Sequence, residues 1–267
     1  MRKHAGKAGI TGLLIAILVA VAAYLDINLE SLGIDVGQTP TPSVTEPAKQ
    51  VDWYQIYFTD PTCPPEDERS GGIDDLIVAD LMTAKERIDV AAYDLDVENI
   101  VNALIDLEER ELPVRVVTDT DNGKISAINR LRRHGISVVE DKRSTIMHNK
   151  FIIIDDRILW MGSMNLTVNG IYCNNNNFVR FESPELTANY AAEMDEMYDE
   201  RIFGPTSPDN ALSKTQSIYD IHVENYFAAE DEIAPVVANV VSIARDEILF
   251  MAFSFTHGDI GDAMIDR

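Results

Sequence analysis

From Trp53 onward, short apolar runs typical of β-strands alternate with segments whose apolar residues have helical spacing. This alternation predicts an α/β domain whose mixed sheet is flanked by helices on both faces. The Asp155-Asp156-Arg157 triplet separates two of the runs and predicts a hairpin turn. We predict strands at 55–58, 88–95, 114–118, 136–139, 150–154, 158–161 and 178–181, and helices at 73–87, 97–110, 125–134 and 185–201.

The N-terminus has the pattern of a targeting segment. Basic residues precede an uncharged run from Ala8 to Leu25, which predicts a signal anchor or signal peptide at 1–25. The positive flank favours the cytoplasm, so we expect the rest of the chain to be extracytoplasmic and membrane-anchored. Secretion after cleavage is the alternative, because Ala20-Val21-Ala22 suits a signal peptidase. A Pro/Thr-rich linker follows at 38–50.

Two segments of the sequence are similar to each other. Residues 84–93 align without a gap with residues 244–253, and the same offset of 160 matches four further positions, Ile100, Ala103, Ile105 and Asp106. So many matching residue types in one register indicate an internal duplication. We therefore predict a domain at 53–203, a linker at 204–222 and, at 223–267, the incomplete beginning of a second, similar repeat.

The chain is strongly acidic, with a net charge of −23 over 267 residues. Such a surface repels nucleic acid and anionic lipid unless the active face is locally basic. Basic residues outnumber acidic ones by six to two between Asn129 and Lys150, which leaves room for an anionic substrate. Cys63 and Cys173 can pair if the domain is exported, but their redox state stays open. No Cys/His cluster indicates zinc.

The stretch from His148 to Asn165 carries the residues suited to chemistry. His148 and Lys150 are two apart, so on a strand they project from the same face, while Asn149 and Phe151 face the other way. A phosphate suits this pair, because lysine holds anionic oxygens and histidine attacks or protonates.

Gly162 and Ser163 close the next predicted strand. A glycine there lets backbone approach a ligand closely, while the Ser163 hydroxyl and the Asn165 amide add neutral donors.

The spacing His-x-Lys-x4-Asp-x6-Gly-Ser-x-Asn resembles the signature of the phospholipase D superfamily, over about residues 54–203. The resemblance implies a phosphodiesterase in which two such motifs meet at one site, without metal or other cofactor. It implies that His148 is the nucleophile or the general acid, that Lys150, Ser163 and Asn165 hold phosphate, and that Asp155 supports these catalytic residues.

Two features depart from the family pattern. A second motif is expected near position 308, so its half-site must come from a missing C-terminal region or from a second copy. Some family members also carry a glutamate after the motif that orients the histidine. Asn174–Asn177 stand there instead. We take Asn176, together with Gly162, as candidate supporting residues.

The expected function is hydrolysis of a phospholipid headgroup ester through a phosphohistidine intermediate. The N-terminal segment places the domain beside its lipid substrate. An endonuclease acting on nucleic acid is the first alternative, which the acidic charge disfavours. A half-domain that binds but does not catalyse is the second, because one motif supplies one histidine.

Overall fold

Seven strands form a single mixed sheet in the computed structural model, which describes residues 53–228 and 230–267. The strands are β1 (Tyr54–Phe58), β2 (Ile88–Ala92), β3 (Val114–Thr118), β4 (Ser137–Glu140), β5 (Lys150–Ile154), β6 (Ile158–Gly162) and β7 (Asn177–Glu182). Their order across the sheet is β1-β7-β6-β5-β2-β3-β4. The β2-β3-β4 half is parallel, and the other neighbours are antiparallel.

Helices cover both faces of this sheet. They are α1 (Ile73–Leu81), α2 (Glu98–Glu109), α3 (Ser126–Arg133), α4 (Val168–Tyr172) and α5 (Pro184–Asp195), which continues as a π-helix (Glu196–Glu200). Buried residues of α1 to α4 share one core cluster with the sheet, and buried residues of α5 belong to a second cluster. The predicted mixed sheet with helices on both faces is confirmed.

The first helix is shorter than its sequence pattern predicted. We expected it to reach Arg87, but it ends at Leu81. The backbone amides of Lys85, Glu86 and Arg87 instead donate to the carboxylate of Asp155. A side-chain acceptor that captures successive amides competes with helical hydrogen bonding, so the chain turns here before it enters β2.

The predicted linker at 204–222 is wrong for much of its length. It contains β8 (Thr215–Ile218), which pairs with β9 (Ile221–Glu224). Ile218 and Phe227 are buried in the second core cluster, and Phe227 packs edge-on against Tyr190 of α5. The domain therefore extends beyond residue 203, because these apolar side chains complete the cover of the sheet.

The C-terminal region partly follows the predicted repeat. Helices α6 (Ile233–Ser242) and α7 (Gly258–Ile265) begin at 233 and 258, at the same 160-residue offset from the starts of α1 at 73 and α2 at 98. Residues 248–253, which align with β2, form no strand, and Leu249, Met251 and Phe253 are exposed. A second repeat stays a prediction.

The two cysteines form a disulfide bond. Cys63, in the loop after β1, is joined to Cys173 at the end of α4, across 110 residues of sequence. The pairing that the sequence left open therefore ties the edge strand β1 to the segment that follows the motif.

Two predicted segments, the signal anchor or peptide at 1–25 and the linker at 38–50, lie outside the described residues. Within residues 53–228 and 230–267, none of the helices combines the length and the apolar character needed to cross a membrane.

Candidate active site

The candidate site lies at one edge of the sheet, where β2 and β3 end, β5 begins and β6 ends. His148 stands just before β5, and Lys150 is its first residue. Gly162 closes β6, with Ser163 and Asn165 in the turn beyond it. The antiparallel pairing of β5 with β6 therefore brings together the two halves of the motif, which are more than ten residues apart in sequence.

His148, Lys150 and Tyr93 form a compact group at this edge. The ring of Tyr93 meets the imidazole of His148 edge-on, with their centroids 4.9 Å apart. The ammonium of Lys150 lies 5.5 Å from the centroid of the same tyrosine ring and donates a hydrogen bond to the His148 carbonyl at 2.9 Å. The predicted shared face of His148 and Lys150 is confirmed.

Both basic groups have lowered pKa values. Partial burial, and secondarily the nearby Lys150 charge, lower the pKa of His148 below 6.5, while Asp119 opposes the shift. Burial lowers the pKa of the Lys150 ammonium to about 8. At neutral pH the imidazole is therefore mainly unprotonated and able to attack, while most of the ammonium remains charged and able to hold an anion.

We expect His148 to titrate with a midpoint below 6.5, and its midpoint to rise when Lys150 is replaced by methionine. Removal of the neighbouring positive charge favours the imidazolium ion, so the midpoint must move upward. Histidine ring NMR signals followed from pH 4 to 9 measure both values, with Lys142→Met as a control that removes a more exposed charge. A midpoint unaffected by Lys150→Met would contradict the assigned proximity.

Asp119, which directly follows β3, holds the backbone of the segment that leads into the motif. Its buried carboxylate accepts hydrogen bonds from the backbone amides of Met147 at 2.8 Å and Asp121 at 2.8 Å. Asp119 was not among the site residues predicted from the sequence. A charged residue directly after a buried strand of a parallel pair was the available signal.

The turn after β6 presents Ser163 and Asn165. The side-chain oxygen of Asn165 is buried and lacks a hydrogen-bond partner among the described residues. The Ser163 hydroxyl donates to the side-chain oxygen of Asn176 at 3.0 Å and accepts from the Asn177 amide at 3.1 Å. Ser163 is thus already engaged within the protein, whereas the side-chain oxygen of Asn165 is not.

A glycine is required at position 162 because the neighbouring strand β7 leaves no space for a side chain. A Cβ atom at this position would lie 2.5 Å from the carbonyl oxygen of Asn177 and 2.9 Å from the Cα of Phe178. We expected the glycine to admit a ligand, whereas the close approach seen is that of β7. Gly170 is similar, because a Cβ there would meet the carbonyl oxygen of Asn165.

Asn176 lies in the polar segment that follows the motif. Its amide nitrogen donates to the Gly170 carbonyl at 2.8 Å, while its side-chain oxygen accepts from Ser163. Asn176 therefore supports the turn that carries Asn165, and the described hydrogen bonds of its side chain run to that turn and to α4 rather than to His148.

Asp155 lies away from the other motif residues. It follows the far end of β5, about 16 Å along the strand from Lys150 at the usual rise per residue. Asp155 and Asp156 both have positive φ, 54° and 49°, and form the hairpin turn that the sequence predicted. We expected Asp155 to support the catalytic residues, and its carboxylate binds backbone amides of the segment leading into β2.

We expect Asp155→Asn to lower the free energy of unfolding by about 1–3 kcal/mol, the usual effect of losing charge-assisted hydrogen bonds to backbone. Asparagine tolerates positive φ, so the turn itself is kept. Asp156→Asn is the matched control and removes only a salt bridge of Arg87 with an exposed carboxylate. Urea unfolding measures both variants. Equal effects at the two positions would contradict the structural role given to Asp155.

A buried acid lies behind the motif. Asn149 faces away from His148, as predicted, and its amide donates to Glu193 of α5 at 3.3 Å. Burial, reinforced by Glu230 and Glu196, raises the pKa of Glu193 to about 8. Glu193 is therefore largely protonated at neutral pH.

His148 is exposed at the candidate site. Two cavities lie elsewhere in the described residues: one is lined by the start of α5 and by β8, the other by the end of β4 and by Phe203. Among residues 53–228 and 230–267, no three His, Cys, Asp or Glu side chains are placed to hold a metal ion.

Residues 77–198 match the family model described as "Cardiolipin synthase, PLD-like domain". A phospholipase D of Rickettsia bellii is 31% identical over 183 residues, which cover 66% of this chain and 87% of that protein. The chain belongs to the phospholipase D superfamily. The residues that match the family model include the stretch from His148 to Asn165.

Other relatives match a shorter stretch of the chain. The mitochondrial cardiolipin hydrolase of Chlamydomonas reinhardtii is 31% identical over 121 residues, which cover 45% of this chain and 54% of that protein. The human protein of the same name is 34% identical over 130 residues and is covered to 50% of its length. This chain thus spans about half the length of these relatives. Among solved structures, the phospholipase D family member Nuc from Salmonella typhimurium aligns with a TM-score of 0.46 and 23% identity, covering 54% of this chain and 91% of that one.

Proposed function

We propose that this protein hydrolyses a phospholipid headgroup ester and that His148 is the nucleophile. The observation that carries the proposal is the placement of an imidazole with a lowered pKa beside a charged, largely buried lysine. Lysine in a poorly solvated position attracts a phosphodiester more strongly than lysine in water, because less solvent screens its charge. Relatives named cardiolipin hydrolase and phospholipase D support a lipid substrate.

In the proposed reaction, His148 attacks phosphorus while Lys150 and the Asn165 amide hold the non-bridging oxygens. A phosphorus–nitrogen bond forms as the bond from phosphorus to the headgroup oxygen breaks. The headgroup oxygen takes a proton from a second histidine, which then removes a proton from water. That water attacks the phosphohistidine, releases phosphatidic acid or its equivalent and restores His148.

The second histidine must come from another motif. We propose that it is supplied either by a second copy of this chain or by a continuation of the second repeat, which is predicted to begin at 223–267 and contains α6 and α7. The offset shared by α1 and α6, and by α2 and α7, supports the repeat. The open position of His148 leaves room for a facing half-site in either case.

Charge favours lipid over nucleic acid as the substrate. Two of the arginines counted near the motif are already paired, Arg130 with Glu98 at 3.7 Å and Arg132 with Glu140 at 2.6 Å. A nuclease needs many unopposed cations along a polyanion, whereas one lipid headgroup needs few. We also propose that the N-terminal segment holds the domain at an extracytoplasmic membrane surface, where its substrate is concentrated.

The test incubates the full chain with vesicles of cardiolipin or phosphatidylcholine and, separately, with single-stranded DNA, over a range of protein concentrations. We expect headgroup release from lipid, with specific activity rising with concentration if two copies build the site. Cleavage of DNA alone would replace the proposal with the nuclease. Inactivity on all substrates at every concentration would favour a binding half-domain.

A further inference from the structure

We propose that Thr59 and the Cys63–Cys173 disulfide form a clamp that positions the phosphate-binding turn of the motif, so that reduction of the disulfide lowers activity. The clamp is the loop 59–63, which follows β1 and crosses to the end of α4. This inference rests on the proposed function for its kinetic effect, but its structural effect is measured separately.

Thr59 is the centre of the clamp. Its hydroxyl donates to the Asn174 carbonyl at 2.6 Å and accepts from the Asn176 amide at 2.8 Å. Its own amide donates to the Asn176 carbonyl at 3.0 Å. One side chain thus fixes the backbone on both sides of Asn175, a segment of four polar residues whose composition alone favours a flexible turn.

Asn176 connects the segment held by Thr59 to the motif. Its side-chain oxygen accepts from the Ser163 hydroxyl, and its amide nitrogen donates to the Gly170 carbonyl. Ser163 lies two residues before Asn165, whose buried side-chain oxygen has no partner among the described residues. Because this oxygen has no partner, the position of Asn165 depends on the backbone of its turn. Asn176 and Thr59 hold that backbone in place.

The disulfide anchors the other end of the loop. The Cys63 amide donates to the Tyr172 carbonyl at 2.7 Å, next to the bonded Cys173. Loop 59–63 lies beside an edge strand and has few other partners, so the covalent bond limits its motion. A dithiol reductant would transfer two electrons and two protons to the bond, giving two thiols and the oxidised, cyclic disulfide of the reductant. The loop would then remain attached only by hydrogen bonds.

The experiment compares Thr59→Val, Thr59→Ser and the wild type, each oxidised and after treatment with a dithiol. Valine keeps the shape but loses both hydroxyl hydrogen bonds, and serine keeps them. Amide exchange at Asn176 and Asn177 is measured by NMR, and kcat and KM are measured with cardiolipin vesicles. A double Cys63→Ser, Cys173→Ser variant repeats the reduced state without reductant.

We expect Thr59→Val and reduction each to speed amide exchange at Asn176 about tenfold or more, the factor that corresponds to loss of one good hydrogen bond. We expect kcat/KM to fall by a similar factor, with Thr59→Ser restoring both. Reoxidation should recover the wild-type values, and circular dichroism should show that each form is folded. If the double serine variant does not fold, the Thr59 pair decides.

Unchanged exchange at Asn176 in folded Thr59→Val and in the reduced protein would overturn the clamp. Faster exchange with unchanged kcat/KM would also overturn it, because the turn would then not need this support. If the oxidised wild type releases no headgroup, the proposed function fails, and the exchange data still decide whether the clamp exists.

Discussion

Replacing His148 by alanine is expected to lower kcat/KM for the phosphodiester by at least about 10⁴-fold, the scale of loss for a catalytic nucleophile. The alanine leaves Lys150 and Tyr93 in place but removes the imidazole that is proposed to form the phosphorus–nitrogen bond. The loss should appear in kcat, since the groups that hold phosphate remain. Steady-state hydrolysis of cardiolipin vesicles measures it.

His134 is the matched control. It is an exposed histidine at the end of α3, and its ring contacts Glu109 at 2.9 Å. His134→Ala should retain wild-type kcat/KM within about twofold, because surface changes away from the site have small effects. Equal losses in both variants would indicate a general effect on folding, and unchanged activity in His148→Ala would refute the assignment of the nucleophile.

Replacing Trp160 by alanine is expected to lower the free energy of unfolding by about 3–5 kcal/mol, as for other fully buried aromatic side chains. Trp160 is 1% exposed in the centre of β6. It stacks between Tyr57 and Phe178, at 5.4 and 5.9 Å between centroids, and its indole nitrogen donates to Asp80 at 2.8 Å. Truncation leaves a cavity and an Asp80 carboxylate with one donor fewer.

Phe58 provides the comparison for Trp160. It is an aromatic residue on the edge strand β1, with 73% of its surface exposed. Phe58→Ala should change the stability by less than about 1 kcal/mol, because little apolar area is removed from the core. Guanidinium unfolding at fixed redox state measures both variants, and a smaller loss for Trp160 than for Phe58 would contradict the assigned core.

The strands and the motif could be predicted from sequence because each depends on local spacing. The period-two spacing of His148 and Lys150 places them on one face whatever the rest of the fold does. Gly135, with φ of 91°, directly follows the helix predicted at 125–134, and the observed α3 ends at Arg133. The alternation of strands and helices was enough to predict a mixed sheet with both faces covered.

The errors arose where distant residues override local pattern. Helix α1 ends early because Asp155, some seventy residues away in sequence, captures the amides of Lys85 to Arg87. The segment at 204–222 has two prolines and a polar composition, so it resembled a linker, yet Ile218 fills the second core cluster. Contacts of this kind cannot be derived from the spacing of residues within one segment.

The same limit explains which site residues were missed. Tyr93 follows β2 and Asp119 follows β3. They reach His148 or its neighbour only because β2 lies beside β5 in the sheet and β3 lies beside β2. The order of strands was not part of the sequence prediction. Residues at strand ends on one edge of the sheet therefore could not be assigned to one site before the topology was known.

The most direct test of the account is to trap the covalent intermediate. The full chain is mixed with cardiolipin vesicles and quenched in alkali during turnover, since phosphorus–nitrogen bonds are labile in acid, and its peptides are analysed by mass spectrometry. We predict a lipid phosphate adduct on the peptide that contains His148, and none in His148→Ala. Turnover without any adduct, or an adduct on another histidine of this chain, would contradict the claim that His148 is the nucleophile.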